Sequence, residues 1–309
     1  MRVFAIPMRT RFRGVTRREG ALVRGRAGWG EFSPFPEYGP AECARWLAAA
    51  REAADGDWPA PLRTRIPVNV TVPAVDAETA RRIVARSGCR TAKVKVAEPG
   101  QDESDDIARV EAVRDALGPG GRVRVDANGA WDPDTAVRVL KAFGELEYAE
   151  QPCATLAELA EVRRRVSTPI AADESIRRAE DPLRVRAAGA ADVVVLKVQP
   201  LGGVRNALGV AEACGLPAVV SSAVETSVGL AAGLALAAAL PELPYACGLG
   251  TLSLLEGDVV ADPLITENGA LTVRVPDVDE QALSRYEIDD GPWRARLAAA
   301  EAVLDGAAR

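Results

Sequence analysis

Histidine is absent from this chain of 309 residues. Acid–base chemistry near neutral pH must therefore fall to Lys, Asp, Glu, Cys or Tyr. The usual nitrogen ligands are missing too, so a bound metal would take oxygen donors, which favours Mg²⁺ or Mn²⁺ over zinc. Cysteine is sparse. Cys43, Cys89, Cys153, Cys214 and Cys247 stand singly, odd in number and without a CxxC pair. That suits a reducing cytoplasm better than a disulfide framework. No apolar signal core opens the chain. The longest apolar stretch, VGLAAGLALAAALP at 228–241, is too short to span a bilayer and reads as a packed helix. Excess positive charge is also lacking: the net charge of −6 argues against a nucleic-acid surface. The expected partner is a small molecule, with neither nucleic acid nor membrane. The sequence sets no oligomeric state, and a monomer is compatible with it.

What is present is ordinary in bulk and ordered in detail. Hydrophobic residues make up 48% and charged residues 27%, as in a soluble globular protein long enough for one α/β barrel or two smaller domains. Short β-rich runs recur at 68–72, 91–96, 123–127, 146–150, 169–175, 192–198 and 217–223, with a weaker one, PYACGLG, at 244–250. Helical patterns at 76–87, 103–117, 133–143, 155–166, 179–188, 203–214 and 226–240 lie between them. This alternation predicts βαβ units and a parallel sheet, and eight strands suggest a closed barrel. An open doubly wound sheet is the alternative, but the first βα turn has no Gly-rich phosphate fingerprint.

The polar residue ending each strand carries the chemistry. Lys95, Asp126, Glu150, Asp173, Lys197 and Ser221 end consecutive strands, and from Asp126 onward the steps are 24, 23, 24 and 24 residues. Barrel enzymes place their active sites at this end. Adjacent strands lie about 4.8 Å apart, so three carboxylates on neighbouring strands would crowd into one volume and repel. A hard dication relieves that repulsion, which assigns Asp126, Glu150 and Asp173 as metal ligands. Lys95 and Lys197 lie four strands apart and would flank a bound substrate from opposite sides. An ordinary lysine is almost wholly protonated at neutral pH, so a lysine base needs its pKa lowered. Lys93, on the same strand face as Lys95, and a dication would both favour a neutral Lys95. This set suits removal of a proton next to a carboxylate, with the charge of the enediolate neutralised by the metal.

The segments KVKV (93–96), VDANGAW (125–131), AEQP (149–152), ADES (172–175) and VLKVQPLGG (195–203) follow one another in an order and spacing that resemble the enolase superfamily, in its muconate-lactonizing-enzyme-like branch. The resemblance implies an α/β fold: a (β/α)7β TIM-like barrel with an α+β capping domain built from the N-terminal segment and the C-terminal tail. Residues 1–65 would form the first part of the cap, with β-like runs near 2–9 and 20–33 and a helix near 40–54. Residues 66–255 would form the barrel. Residues 256–309 would return to the cap, with an extended stretch near 271–275 and a helix at 292–305. It also implies a bound Mg²⁺ and a small carboxylate substrate. Within the branch, residues 221–251 resemble enzymes that dehydrate 2-succinyl-6-hydroxy-2,4-cyclohexadiene-1-carboxylate to 2-succinylbenzoate. By carry-over, Lys95 would remove the proton and assist departure of the hydroxyl from the same face. Lys197 would stabilise the enediolate, and Lys93 would contact the carboxylate. Asn128 would support the site, and Arg124, two residues below Asp126 on the same face, would either reach the substrate carboxylate or the residues behind it, or form an ion pair inside the barrel. Ser221, Ser222 and the turn at Gly248 would hold the succinyl tail, and the loop around Phe12–Thr16 would close over it. Two alternatives stay open: racemisation of N-acylamino acids or epimerisation of dipeptides by the same lysine pair, and a non-catalytic barrel binding an acidic ligand. Dipeptide epimerases usually carry an acidic D-x-D after the eighth strand, where this chain reads CGLGTL.

Overall fold

The computed structural model describes residues 1–177 and 183–307. Three antiparallel strands open the chain: β1 (Arg2–Phe12), β2 (Val15–Arg24) and β3 (Trp29–Phe32), in spatial order β1-β2-β3. Arg13 and Gly14 join the first two, both at positive φ (51° and 78°), the backbone that a tight two-residue hairpin needs. The helix Pro40–Asp55 buries Trp46, Leu47 and Ala50 against this sheet. Gly30 permits the close approach, because a Cβ there would lie 1.8 Å from the Ala50 carbonyl oxygen. The last helix, Gly291–Ala307, packs on the helix Pro40–Asp55, and Trp293 meets Phe32 edge-on at 5.9 Å. Ile288 N–H donates to the Val3 carbonyl, so the end of the chain lies beside its beginning.

Strand β4 (Arg65–Pro67) then leads into seven parallel strands: β5 (Val70–Val72), β6 (Thr91–Lys95), β7 (Arg122–Asp126), β8 (Tyr148–Glu150), β9 (Ile170–Ala172), β10 (Val193–Leu196) and β11 (Ala218–Val220). They pair in sequence order. Strands buried on both faces read as runs of Val and Ala, as here. Helix starts are marked by Asp76, Asp102, Asp132 and Thr155, each accepting from backbone N–H groups of the first turn. Gly88 and Gly215 end two of the helices in the left-handed conformation. The helix Ser227–Ala239, polar only at its first residue, is buried almost all round. Of the helix expected at 179–188, Leu183–Ala187 is helical, and 179–182 lie outside the described residues.

The eighth strand differs from expectation. PYACGLG makes only single-residue bridges, Cys247 to Val68 and Gly248 to Ser221. Those two residues nonetheless close the ring. Cys247 N–H donates to Pro67 O at 2.7 Å, and its carbonyl accepts from Asn69 N–H at 2.9 Å. Gly248 N–H donates to Val220 O at 2.8 Å, and its carbonyl accepts from Ser222 N–H at 3.0 Å. Glycines at 248 and 250 and a proline at 244 give this segment little strand propensity of its own, so tertiary pairing makes it extended. The stretch near 271–275 contributes β12 (Ala270–Thr272), which pairs with β4 outside the ring.

Candidate active site

The strand register places the key side chains level with one another. Lys95 pairs with Asp126 across β6 and β7, and Asp126 with Glu150 across β7 and β8. Asp173 follows β9 and Lys197 follows β10. Asp126, Glu150 and Asp173 are all fully buried. Lys95 Nζ donates to Asp126 Oδ2 and to Asn128 Oδ1, both at 2.6 Å. Lys93 Nζ donates to both Glu150 oxygens at 2.9 Å and lies 3.4 Å from Asp126. Lys197 pairs with Asp173. Three ammonium groups and three carboxylates thus fill the mouth of the barrel in balance. The chain has only four lysines, Lys93, Lys95, Lys141 and Lys197. Three of them converge here, although arginine serves almost everywhere else. Arginine stays protonated, whereas lysine can act as a base. That scarcity was a further signal available in the sequence.

Desolvation governs the electrostatics, opposed by the pairing. Burial, with the Asp126 and Asp173 charges adding to it, pushes Glu150 up to about 7 despite Lys93. Burial acts against ionisation of Asp126 as well, but Lys95 and Lys93 outweigh it and hold that carboxyl well below the usual range. Burial disfavours the Lys93 ammonium, yet Glu150 and Asp126 more than compensate and raise its pKa. Among the described residues no group of three or more His, Cys, Asp and Glu side chains is closed up as metal ligands. Each carboxylate is turned to an ammonium instead. The donor set still fits a hard dication: oxygen donors only, on neighbouring strand ends. The Lys93 ammonium, within 3.4 Å of both Glu150 and Asp126, shows that two of them open onto one position that accepts a cation.

Phe12, Arg13, Phe35, Thr71, Lys93, Lys95, Asp126, Asn128, Lys197, Ser221, Ser222 and Thr251 line a common cavity. Its volume is about 30 Å³, room for no more than about two waters. A ring bearing a carboxylate and a four-carbon tail therefore enters only if these side chains, or the hairpin carrying Phe12 and Arg13, move aside. The Phe12 ring lies 5.2 Å from Lys95 Nζ. Thr71, Thr251 and Phe35 had no sequence signal. Thr71 is level with Lys93 across β5 and β6, and its buried hydroxyl has no hydrogen-bond partner among the described residues.

Two expected contacts are corrected. Arg124 is wholly buried, and its guanidinium points away from the cavity to Glu147, Asn69 and the Ala246 carbonyl, stacked on Tyr148. Strand alternation fixed its face, but Glu147 at the opposite end of the barrel turned the long side chain away from the substrate. Gly248 does not line the cavity either. It sits behind Ser221, where a Cβ would lie 2.5 Å from the serine Oγ, so glycine there serves packing.

The rim is held by backbone in uncommon conformations. Ala97, Asn128, Gln151 and Val224, all non-glycine at positive φ, each follow a barrel strand. Gln151 Oε1 accepts from Asp173 N–H at 3.0 Å and Ser175 N–H at 3.2 Å, fixing the chain at Asp173. Val224 is tied to the cap by Arg18, whose Nε donates to its carbonyl at 3.0 Å. Beside it, Glu31 of β3 accepts from Thr226 N–H at 3.0 Å, Gly229 N–H at 3.1 Å and Ser33 Oγ at 2.6 Å. The cap thereby caps the helix Ser227–Ala239 and secures the loop bearing Ser221 and Ser222. Burial raises Glu31 to about 7, against the charge of Arg18.

Residues 75–278 match a family model described as enolase C-terminal domain-like, and residues 3–54 one described as enolase N-terminal domain-like. The chain is 74% identical over 306 residues to the o-succinylbenzoate synthase of Thermobifida fusca, covering 98% of this chain and 96% of that one. It is 56% identical to the enzyme of the same name from Mycolicibacterium smegmatis, with the same coverage. Among solved structures, muconate lactonizing enzyme from Pseudomonas fluorescens complexed with muconolactone superposes with a TM-score of 0.80 at 23% identity, covering 93% of this chain and 97% of that one. A dipeptide epimerase from Enterococcus faecalis complexed with Mg and a dipeptide superposes with a TM-score of 0.76 at 24% identity, covering 91% and 97%.

Proposed function

The chain belongs to the enolase superfamily, and we propose from that premise that it catalyses the reaction of its o-succinylbenzoate synthase relatives: syn-dehydration of 2-succinyl-6-hydroxy-2,4-cyclohexadiene-1-carboxylate to 2-succinylbenzoate, a hydro-lyase step in menaquinone biosynthesis. The observation that carries the reading is that Lys95 of β6 and Lys197 after β10, four strands apart, line one cavity, while Asp126, Glu150 and Asp173 end the three strands between them.

Members of this superfamily bind a divalent metal, and here Asp126, Glu150 and Asp173 would hold it, as Mg²⁺ or Mn²⁺. Once bound it neutralises the negative charge that develops on the substrate carboxylate. Lys95, in its unprotonated form, takes the proton from the ring carbon bearing the carboxylate. The electrons of that C–H bond pass into the enediolate and then into the new ring double bond. The bond from carbon 6 to its hydroxyl breaks, and Lys95 returns its proton to the departing oxygen on the same face, so water leaves. Lys197 contributes positive charge from the other wall. Lys93 bridges Glu150 and Asp126 and keeps two acids close without mutual repulsion. Asn128 accepts from Lys95 and fixes where its amine points. Thr71, Ser221, Ser222 and Thr251 offer hydroxyls to the carboxylate or succinyl tail. Five free cysteines fit the cytoplasm, where we place the enzyme.

The test follows aromatisation of the diene by absorbance, with and without chelator. Turnover that stops on chelation and returns with Mg²⁺ supports the reading, and an inactive metal-loaded enzyme overturns it. The opposed lysines also suit racemisation of N-succinyl amino acids, where one amine removes a proton and the other returns it. Deuterium entering Cα in D₂O would establish that second activity.

A further inference from the structure

We propose that Arg109 and Asp106, on the helix Glu103–Leu117, are positioning residues that set where Lys95 points. Neither reaches the cavity, and Arg109 is only 1% exposed. Its Nη1 donates to the Lys95 carbonyl at 2.9 Å and to Asp106 Oδ1 at 2.7 Å. Its Nε donates to the Val75 carbonyl, and its Nη2 to Gln101, which itself donates to the Ala74 carbonyl at 3.0 Å. The second Asp106 oxygen accepts from Ala97 N–H at 2.8 Å. The pair therefore grips the chain at Lys95 and again two residues later. At the second grip the backbone turns into the left-handed region, at Ala97 (φ 60°), which an alanine adopts only when its surroundings impose it. Gln101 and Arg109 extend the grip to the exit of β5, beside Thr71.

A buried ion pair seldom adds stability over apolar side chains of the same volume. This one directs its hydrogen bonds to the main chain of the proposed base. The exits of β7 and β9 are held from within the rim, by Asn128 and Gln151. The exits of β5 and β6, the latter carrying Lys95, are fixed from a helix behind the barrel wall. The inference rests on Lys95 being the base, as proposed above.

Arg109→Met, Arg109→Lys and Asp106→Asn are to be compared with the unmodified protein on substrate carrying hydrogen or deuterium at ring carbon 1. Misplacing a catalytic group by about 1 Å costs on the order of 100-fold. Arg109→Met should lower kcat about 10- to 100-fold, leave KM within about threefold, and raise the primary isotope effect on kcat as proton removal becomes limiting. Arg109→Lys, which keeps one donor, should recover part of the loss. A folded Arg109→Met with unchanged kcat overturns the inference, as does a kcat loss with an unchanged isotope effect. If that variant does not fold, Asp106→Asn decides by the same isotope criterion. Labelling of lysines with an amine reagent, read by peptide mass, needs no turnover. Lys95 labelling should change in the variants while the exposed Lys141 stays constant. Inactive unmodified protein with altered Lys95 labelling in the variants would overturn the reaction but keep the clamp. Unaltered labelling would overturn the clamp alone.

Discussion

Glu31→Gln should remove a measurable part of the pH dependence of folding. Two influences oppose each other at this carboxyl. The N-terminus of the helix Ser227–Ala239, the four donors Ser33 Oγ, Thr226 N–H, Thr226 Oγ1 and Gly229 N–H, and the nearby Arg18 favour the anion. Complete burial favours the acid and is the larger effect, so the folded value stands at about 7 against 4.5 for the free side chain. The folded state then binds the proton more tightly than the unfolded chain. Glu31 therefore lends stability fully below pH 4.5, and that contribution is lost as the pH rises through 7. A shift of this size is worth about 3 kcal/mol in full, most of it between pH 5 and pH 8. Glutamine cannot ionise, so the stability difference between variant and parent should move by about that amount in the variant's favour between those two pH values. Urea unfolding of both proteins at pH 5, 6, 7 and 8 measures it. Parallel curves across the whole range would refute the reasoning, and would mean that the helix terminus and Arg18 keep the carboxylate charged in spite of its burial.

Lys95→Ala should abolish dehydration while Mg²⁺ binding, followed by calorimetry, survives; near-normal turnover would remove Lys95 from the mechanism. Gln151→Ala, which releases the backbone at Asp173, should weaken Mg²⁺ binding about 10- to 100-fold by the same measurement, and an unchanged affinity would mean that Asp173 needs no such support. Arg124→Met should cost about 1–3 kcal/mol in urea unfolding by leaving Asn69 and the Ala246 carbonyl without their donor, while Arg122 still faces Glu147, yet leave KM for the diene unaltered; a large rise in KM would restore Arg124 to the substrate site. Gly30→Ala should destabilise by about 1–3 kcal/mol through overpacking, because the new methyl must displace the helix at Ala50, and a neutral result would show that helix to be loosely seated.

The strand ends were legible because two regular features coincide there: alternation along a strand and a repeat of one βα unit. Together they locate Lys95, Asp126, Glu150, Asp173 and Lys197 without any knowledge of packing. Alternation assigns a face but not a direction along the barrel axis, so Arg124 was placed on the correct wall and aimed the wrong way. The closing segment at Cys247 and Gly248 was only weakly legible, since its extended form comes from hydrogen bonds to Pro67, Asn69, Val220 and Ser222 rather than from its own side chains. Thr71 and Thr251 are common residues in unremarkable local sequence, and they acquire meaning only when distant segments meet. The hold of Arg109 on Lys95 belongs to the same kind, because an arginine in a helix of mixed charge resembles any solvated residue until it proves to be buried.

The equal numbers of lysines and acids at the barrel mouth bear on the order in which molecules arrive. A dication entering alone would confront three ammonium groups, and a doubly negative acid entering alone would confront three carboxylates. Arriving together they add no net charge, so each visitor should tighten the hold on the other, and by thermodynamic reciprocity to the same degree.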